Sequence, residues 1–539
     1  MTDSAPERSF RGLPVSGGVA IGPLHVLREK AGASRSFAGA EEEARLLRSA
    51  LDEAKTQLEA VIAAQDRLAG EILEFQLALL EDDDMLAPAF RAIEAGTPCD
   101  RAWADLLDAE IADYRGGESE TLAARADDLA DLKGRVLRAI AGGDGAKESI
   151  PEGAIVIATD FTPSAFLGID WDRAGGAATL GGSPVSHVSI LARARGVNFV
   201  VGLDAKLEDV RDGETAFLDA ASGALTVNPG VAKLAEAKAI LAQAAEERRA
   251  IDVLLPLPAV TDDGEPVRVY VNVDDPARLG ATPVGHCDGV GLTRTEFLFQ
   301  DGHLPDEDEQ LDFYRRLIEW AEGRPVTIRT LDAGGDKPIP GVTIDGETNT
   351  FLGVRGLRLS LARPEIFRVQ LRALARAAAL GPVNVMFPMV TVPQELAEAR
   401  RMMLVEIEAL LGKGLPCTVP RMGIMVEVPS AALMADAFDA DFYSIGSNDL
   451  IQYTTACARD NNALASLADP LNPAVLTLIS RTVEAARARG VEVSLCGDMA
   501  STPRLIGALL DCGLRTLSCA PAQIGPVKLA VSRYSSGRA

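Results

Sequence analysis

The run MGIMVEVP (422–429), followed after a short helical interval by FYSIGSNDL (442–450), decides how the second half of this chain folds. Each is a brief apolar segment suited to a buried strand, and each ends on polar side chains: Glu427 in the first, Asn448 with Asp449 in the second. Six further runs of the same form flank them: VRVYVNV (267–273), DGVGLTR (288–294), VTIRTLDAGG (326–335), NVMFPMV (384–390), VEVSLCGD (491–498) and TLSCAP (516–521), each leading into a helical pattern. Eight strand-then-helix units over about 270 residues predict a (β/α)8 TIM barrel, with a doubly wound open sheet as the alternative. In such barrels the chemistry sits at the C-terminal strand ends, and here those ends carry Asn272, Arg294, Arg329, Glu427, Asn448, Asp449 and Cys496.

These side chains define a candidate site for an anion. Arg294 and Arg329 follow successive strands, and Arg355 lies shortly beyond in FLGVRGLR. The planar guanidinium fork grips phosphate or carboxylate with two hydrogen bonds, so three converging arginines point to a small, multiply charged ligand. Glu427 and Asp449 would repel that ligand unless a hard cation such as Mg2+ lay between, or unless they simply answered the arginines. Asn448 offers an amide to the same phosphate, and Arg459, in CARDNN, is a further candidate clamp. Cys496 reads either as a small apolar filler or as a proton donor facing the site.

The first half is built differently. Short apolar runs broken by glycines occupy residues 10–27, helical spacing with Ala, Leu and Glu fills 34–143, and strand signals return from 150 to 228. The two strand-bearing segments are expected to pair, which makes the helical block an insertion into one α/β subdomain. Within the second of them, GGSPVSHVSILAR (181–193) sets His187 after a glycine turn at the expected start of an amphipathic helix. Unpaired N–H groups and the positive dipole end favour anions there, so His187 is a candidate phosphoryl carrier, against the plain reading of a satisfied structural histidine. Residues 231–250 form an Ala- and charge-rich helix with no wide apolar face, expected to connect two domains.

Composition narrows the class. The 539 residues exceed one core, and 47% hydrophobic with 24% charged residues is ordinary globular usage. A net charge of −25 argues against nucleic acid or an anionic membrane as partner. Seven scattered cysteines without a CxxC pair suit reduced thiols in the cytoplasm, and neither a secretory signal nor a membrane span is expected. The acidic run Glu81-Asp82-Asp83-Asp84 reads either as a solvated helix end or as an electrostatic guide for a basic partner.

Taken in order, the segments resemble the enzyme I family of the bacterial phosphoenolpyruvate:sugar phosphotransferase system over nearly the whole chain. GLPVSGGVAIG resembles its N-terminal strand segment, EFQLALLEDDDML its partner-binding helical segment, and DFTPS with GGSPVSHVSILARARGVNFVVGL its phosphohistidine region. GVGLTRTEFLF, IRTLDAGGDK, FLGVRGLR, MFPMV, GIMVEVP, SIGSNDLIQYT and LCGD resemble its barrel motifs. The resemblance implies a phosphohistidine α/β subdomain over 1–30 and 145–230, a helical subdomain over 31–144 that binds the phosphocarrier HPr, a linker helix over 231–258, and a phosphoenolpyruvate-binding, dimer-forming TIM barrel over 259–535. It implies that His187 is the phosphorylated residue, that Arg294, Arg329, Asn448, Asp449 and Arg459 contact substrate, that Glu427 and Asp449 hold Mg2+, and that Cys496 protonates the departing enolate. The expected activity is transfer of phosphoryl from phosphoenolpyruvate to His187 and on to a histidine of HPr, releasing pyruvate, with a regulatory nitrogen-type enzyme I as the alternative. Phosphoenolpyruvate synthase and pyruvate phosphate dikinase share the histidine and barrel parts but need a nucleotide-binding domain larger than the helical block. Val185, Ser447, Thr350 and Asp498 depart from the commonest family residues, Val185 by removing a hydroxyl beside His187.

Overall fold

The structure, a computed structural model, describes residues 6–28, 35–64, 67–115, 120–142, 150–335, 339–344, 346–458, 464 and 466–536. They form two compact units, Met1–Ala245 and Glu246–Ala539.

In the first unit one mixed sheet joins strands from both ends of the segment. Val19–Val26 pairs in parallel with Ile155–Ala158, Leu24 opposite Ile155, and antiparallel with Thr215–Asp219, Ile21 opposite Phe217. Since these neighbours are far apart in sequence, the helices between them are an insertion, as expected. The inserted helices are Ala40–Ala64, Arg67–Leu80, Asp83–Glu94, Cys99–Arg115 and Glu120–Ile140. They close over Leu47, Leu58, Trp103, Leu107 and Leu132, all fully buried, and this core runs on into Phe166 and Phe199 of the α/β part. One continuous core makes the insertion a packed layer of the unit rather than an appendage.

The helix His187–Ala194 starts because Ser186 caps it, its Oγ accepting from the Ser189 N–H at 3.2 Å. The turn before it requires Gly182, whose φ of +88° suits glycine and whose missing Cβ leaves room for the Asp160 carboxylate. Helix Val231–Leu254 follows, with Ala237 as its buried residue. That agrees with the absence of a wide apolar face in its sequence.

The second unit settles the choice between barrel and open sheet. Eight parallel strands run in the order Pro266–Val273, Val290–Thr293, Val326–Arg329, Val383–Phe387, Arg421–Val426, Phe442–Ile445, Glu492–Leu495 and Thr516–Cys519. Val271 of the first strand is opposite both Val290 of the second and Cys519 of the eighth, so the sheet closes on itself. The open-sheet alternative is thereby excluded. Helices such as Glu307–Ala321, Pro364–Ala377, Pro393–Gly412 and Pro473–Arg489 pack their apolar faces on the outside of this cylinder. Among the described residues no helix is long and apolar enough to cross a membrane.

Candidate active site

The C-terminal mouth of the barrel opens into a cleft of about 460 Å3 lined by Arg294, Arg329, Asp332, Arg355, Glu427, Asn448, Asp449 and Cys496, with Leu292, Met425, Gly446 and Gly497 between them. Strand ends position most of these side chains. Arg329 is the last residue of its strand, and Arg294, Glu427 and Cys496 each follow theirs directly. Asn448 and Asp449 differ from the strand-end expectation: the sixth strand stops at Ile445, and both residues lie in the first turn of helix Ser447–Thr455. Gly446 turns the chain between them, so their side chains reach the cleft from a helix N-terminus. Close packing at this edge needs Gly497, where a Cβ would collide with Ser447 Oγ.

Two buried guanidinium groups form the floor. Arg329 donates from Nη2 to Glu296 Oε1 at 3.1 Å and from Nη1 lies 2.9 Å from Asp332 Oδ2. Arg355 donates from Nη2 to the same Asp332 oxygen at 3.0 Å, and from Nη1 to Asp449 Oδ1 and the Tyr453 hydroxyl, both at 3.3 Å. Burial opposes the charge on Arg329, yet Glu296, Asp332 and Glu427 outweigh it and hold the guanidinium above its ordinary pKa. Arg355 is raised in the same way, burial being overcome by Asp332 and Asp449. Arg294 is the looser member, about a third exposed, with Nη1 on both oxygens of Asp274 at 2.9 and 3.1 Å.

Glu427 sits where ionisation is disfavoured. Burial, then the nearby carboxylates of Asp449 and Asp332, push its pKa up to about 8 against the pull of Arg329 and Arg355. Its Oε1 accepts the Met389 N–H at 2.6 Å, and Met389 holds a left-handed backbone with φ of +57°. That rare conformation for a side-chain-bearing residue turns the N–H at the end of the fourth strand onto the carboxylate.

Asn448 is oriented by Asp498: Nδ2 donates one of its two hydrogens to Asp498 Oδ2 at 2.9 Å, and Oδ1 accepts the Asp498 N–H at 2.8 Å. The shorter Asp498, where the family commonly has Glu, therefore still reaches the amide. Cys496 is packed as a small filler and also faces the cleft. It packs with Leu292, Met386, Met425 and Phe442, and its sulfur lines the cleft. Burial raises the thiol pKa, and Sγ accepts from Ser444 Oγ at 3.2 Å while donating to the Ile445 carbonyl at 3.7 Å. A thiol kept protonated in this way can give up a proton but is a poor nucleophile. Asn272 lies outside the cleft lining and bridges strands instead, donating to the carbonyls of Cys496 and Ser518 at 3.1 and 3.3 Å. Arg459 lies outside the described residues.

In the first unit His187 opens its helix, and its Nδ1 lies 3.0 Å from Asp128 Oδ1. Val185 is half exposed and its N–H donates to Ser183 Oγ at 3.3 Å. Three partners escaped the sequence reading. Asp332 stands inside the quoted TLDAGG and Glu296 two residues after Arg294; acidic residues so close to strand-end arginines were the available signal. Asp128 gave none, being one of several acids in an amphipathic helix 59 residues from His187.

Residues 248–536 match the family described as PEP-utilising enzyme, PEP-binding domain; residues 11–125 match its N-terminal family and residues 150–223 its mobile-domain family. The phosphoenolpyruvate-protein phosphotransferase of Geobacillus stearothermophilus is 35% identical over all of this chain and 95% of its own length. That of Bacillus subtilis is 34% identical over 99% of this chain and 95% of its own length. A multiphosphoryl transfer protein of Xanthomonas campestris is 38% identical over 96% of this chain and 62% of its own length. Full-length similarity at this level, on a closed barrel with arginines and carboxylates gathered at its mouth, makes this chain a member of the phosphoenolpyruvate-protein phosphotransferase family.

Proposed function

We propose that this protein moves the phosphoryl group of phosphoenolpyruvate to His187 and then to a histidine of an HPr-type phosphocarrier, releasing pyruvate. The observation that carries the reading is the convergence of Arg294, Arg329 and Arg355 with Glu427, Asp449 and Cys496 in one cleft. In the proposed reaction the arginines, with Asn448 and Arg459, grip the phosphate. A bond forms between phosphorus and a ring nitrogen of His187 as the bond from phosphorus to the enol oxygen breaks. The electron pair leaves on the enolate of pyruvate, whose methylene carbon takes the thiol proton of Cys496. The nitrogen-type alternative is not favoured over this reading by the full-length relatives.

The residues present fit a divalent cation. Three arginines and three carboxyl groups line the cleft, so with Glu427 ionised it carries no spare positive charge for a trianionic substrate, and burial with its acidic neighbours resists that ionisation. A hard cation held by Glu427 and Asp449 relieves both imbalances. Among the described residues no group of three or more His, Cys, Asp or Glu is arranged to hold a metal. Glu427 and Asp449 would be the residues that hold Mg2+, a cation commonly bound through one or two carboxylates. When bound it supplies electrostatic stabilisation of the transferring phosphoryl group.

The domain roles follow the same reading: an α/β subdomain (1–30, 145–230) carrying His187, a helical HPr-binding subdomain (31–144), a linker helix (231–258) as pivot, and a barrel (259–535) that binds substrate and forms a homodimer in the cytoplasm. Incubation with labelled phosphoenolpyruvate and Mg2+ tests the central claim. Acid-labile, base-stable label is expected on the peptide containing His187; label on any other residue would defeat the proposal.

The acidic run divides under the same reading. Glu81 pairs with Lys55, and Asp82 caps helix Asp83–Glu94, its Oδ1 accepting from the N–H groups of Asp84 and Met85 at 3.0 and 3.2 Å. Asp83 and Asp84 are exposed and make neither contact as acceptors, so they are the pair suited to guide a basic partner. Asp83→Lys with Asp84→Lys is expected to slow phosphoryl transfer to HPr at low salt and to matter little at high salt. Equal rates at low salt would assign the run to the helix end alone.

A further inference from the structure

We infer that Gln370 is a positioning residue for the phosphate site: from a helix outside the barrel it holds the backbone on both sides of Thr330, and so sets where Arg329 and Asp332 point. This rests on the reading of the cleft as the phosphoenolpyruvate site and deepens it. A strand keeps its course while neighbouring strands supply partners for its backbone. Strand Val326–Arg329 loses one neighbour early. Its pairing with Val290–Thr293 ends at Thr293 opposite Ile328, whereas on its other flank Arg329 is still opposite Met386 and the Thr330 N–H donates to the Met386 carbonyl at 2.9 Å. On the abandoned flank side chains stand in for the strand. Thr295 Oγ1 donates to the Arg329 carbonyl at 3.0 Å, and Gln370 Oε1 accepts the Leu331 N–H at 3.0 Å. The next N–H, that of Asp332, donates to Glu296 Oε1 at 2.8 Å.

Gln370 belongs to helix Pro364–Ala377 and is 1% exposed. Its Nε2 donates both hydrogens, to Thr295 Oγ1 at 3.2 Å and to the Tyr314 hydroxyl at 3.4 Å. The Thr295 hydroxyl spends its one hydrogen on the Arg329 carbonyl, so it can only accept from Gln370. The Tyr314 hydroxyl likewise spends its hydrogen on Gln310 Oε1 at 3.2 Å. Directions are therefore fixed from end to end, and the amide fits one way round, with Oε1 on Leu331 and Nε2 on the two hydroxyls. Thr295, Gln310 and Tyr314 are fully buried, so a bond lost here leaves a buried polar group unpaired. Arg329 and Asp332 carry the consequence into the cleft. Arg329 lies on Asp332, and the same Asp332 oxygen takes Arg355, so a shift of the 329–332 backbone moves both buried guanidinium groups together. Gln370 itself does not line the cleft; it acts through these two residues.

The test follows labelling of His187 by phosphoenolpyruvate and Mg2+ in the full chain, at a temperature where circular dichroism shows each variant folded. Gln370→Met keeps the length of the side chain and removes its acceptor and both donors. Its maximal labelling rate is expected to fall on the order of 10- to 100-fold, the cost of small misplacements at a reacting centre. Its half-saturating phosphoenolpyruvate concentration is expected to stay within about threefold of wild type, because the arginines still hold the anion but out of line. Tyr314→Phe removes the far end of the chain and leaves the Leu331 and Thr295 bonds, so it is expected to lower the melting temperature and keep the wild-type rate. Thr295→Val removes the hydroxyl between Gln370 and the Arg329 carbonyl. It is expected to share the rate loss, and the double variant with Gln370→Met to lose little more than either alone. A folded Gln370→Met protein with the wild-type rate overturns the inference. Should that variant fail to fold, a Thr295→Val protein with the wild-type rate overturns it equally. A Tyr314→Phe protein as slow as Gln370→Met would reduce Gln370 to ordinary core packing. A wild type that takes no label on His187 defeats the parent reading instead.

Discussion

Arg329→Met is expected to lower kcat/KM for phosphoenolpyruvate by about 10^3-fold or more and to destabilise the barrel by roughly 3 kcal/mol. Both effects come from one geometry. The guanidinium is buried at the end of the third strand, with Nη2 on Glu296 and Nη1 on Asp332. Methionine fills much of the same volume, so packing loss is small and what remains is the charge. Glu296 keeps the Asp332 N–H at 2.8 Å, and Asp332 keeps Arg355, but both stay buried after losing a cation. Removing one partner of a buried ion pair usually costs more than the pair was worth, because the abandoned charge is stranded. The activity loss has a separate source: without Arg329 the cleft lining has two arginines against three carboxylates, which repels a phosphate. Urea unfolding and steady-state kinetics check the two parts independently. A variant that loses stability but keeps kcat/KM within tenfold would make Arg329 a structural residue and remove it from the substrate site.

The closed barrel was legible because its signal is repeated: eight apolar runs of strand length, each ending in polar residues, leave little freedom in architecture. Arg294, Arg329, Glu427 and Cys496 were legible as a site for the same reason, since a residue at or just past a strand end is placed by the strand itself. Asn448 and Asp449 were found but set on the wrong element, because a glycine that ends a strand and one inside a strand-to-helix turn look alike in sequence. The insertion was legible from a change of period, 2 to 3.6 and back. What could not be read were contacts between distant segments. Asp128 meets His187 through the packing of two helices, and no spacing rule links positions 59 apart. Asp332 sat in plain view yet was missed, since its role is defined by two arginines, one of them 23 residues further on. The left-handed backbone of Met389 was equally hidden, for methionine is a poor signal of positive φ.

Glu427→Gln is expected to stabilise the metal-free protein at pH 8 and above while abolishing both phosphoryl transfer and stabilisation by Mg2+. An unfolded glutamate titrates near 4.3, whereas burial, Asp449 and Asp332 raise Glu427 in the fold to about 8. Between those values the native state holds a proton that the unfolded chain has lost. The contribution of this group is therefore fully present below about 4.3 and is lost as pH rises through about 8. Glutamine does not titrate, and its side-chain oxygen can still accept the Met389 N–H, so the variant is flat across that window and exceeds the wild type by a few kcal/mol at its alkaline end. Addition of Mg2+ reverses the ranking. A ligand that binds only the folded state at a hundred times its Kd adds about 2.7 kcal/mol, which the wild type gains and the variant does not. Thermal unfolding from pH 5 to 9, in EDTA and in Mg2+, separates the two proteins by the sign of their difference rather than its size. A variant less stable than wild type in EDTA at pH 8 would mean that Glu427 serves as an ionised partner of Arg329 and Arg355. An equal gain from Mg2+ in both proteins would place the cation on other ligands.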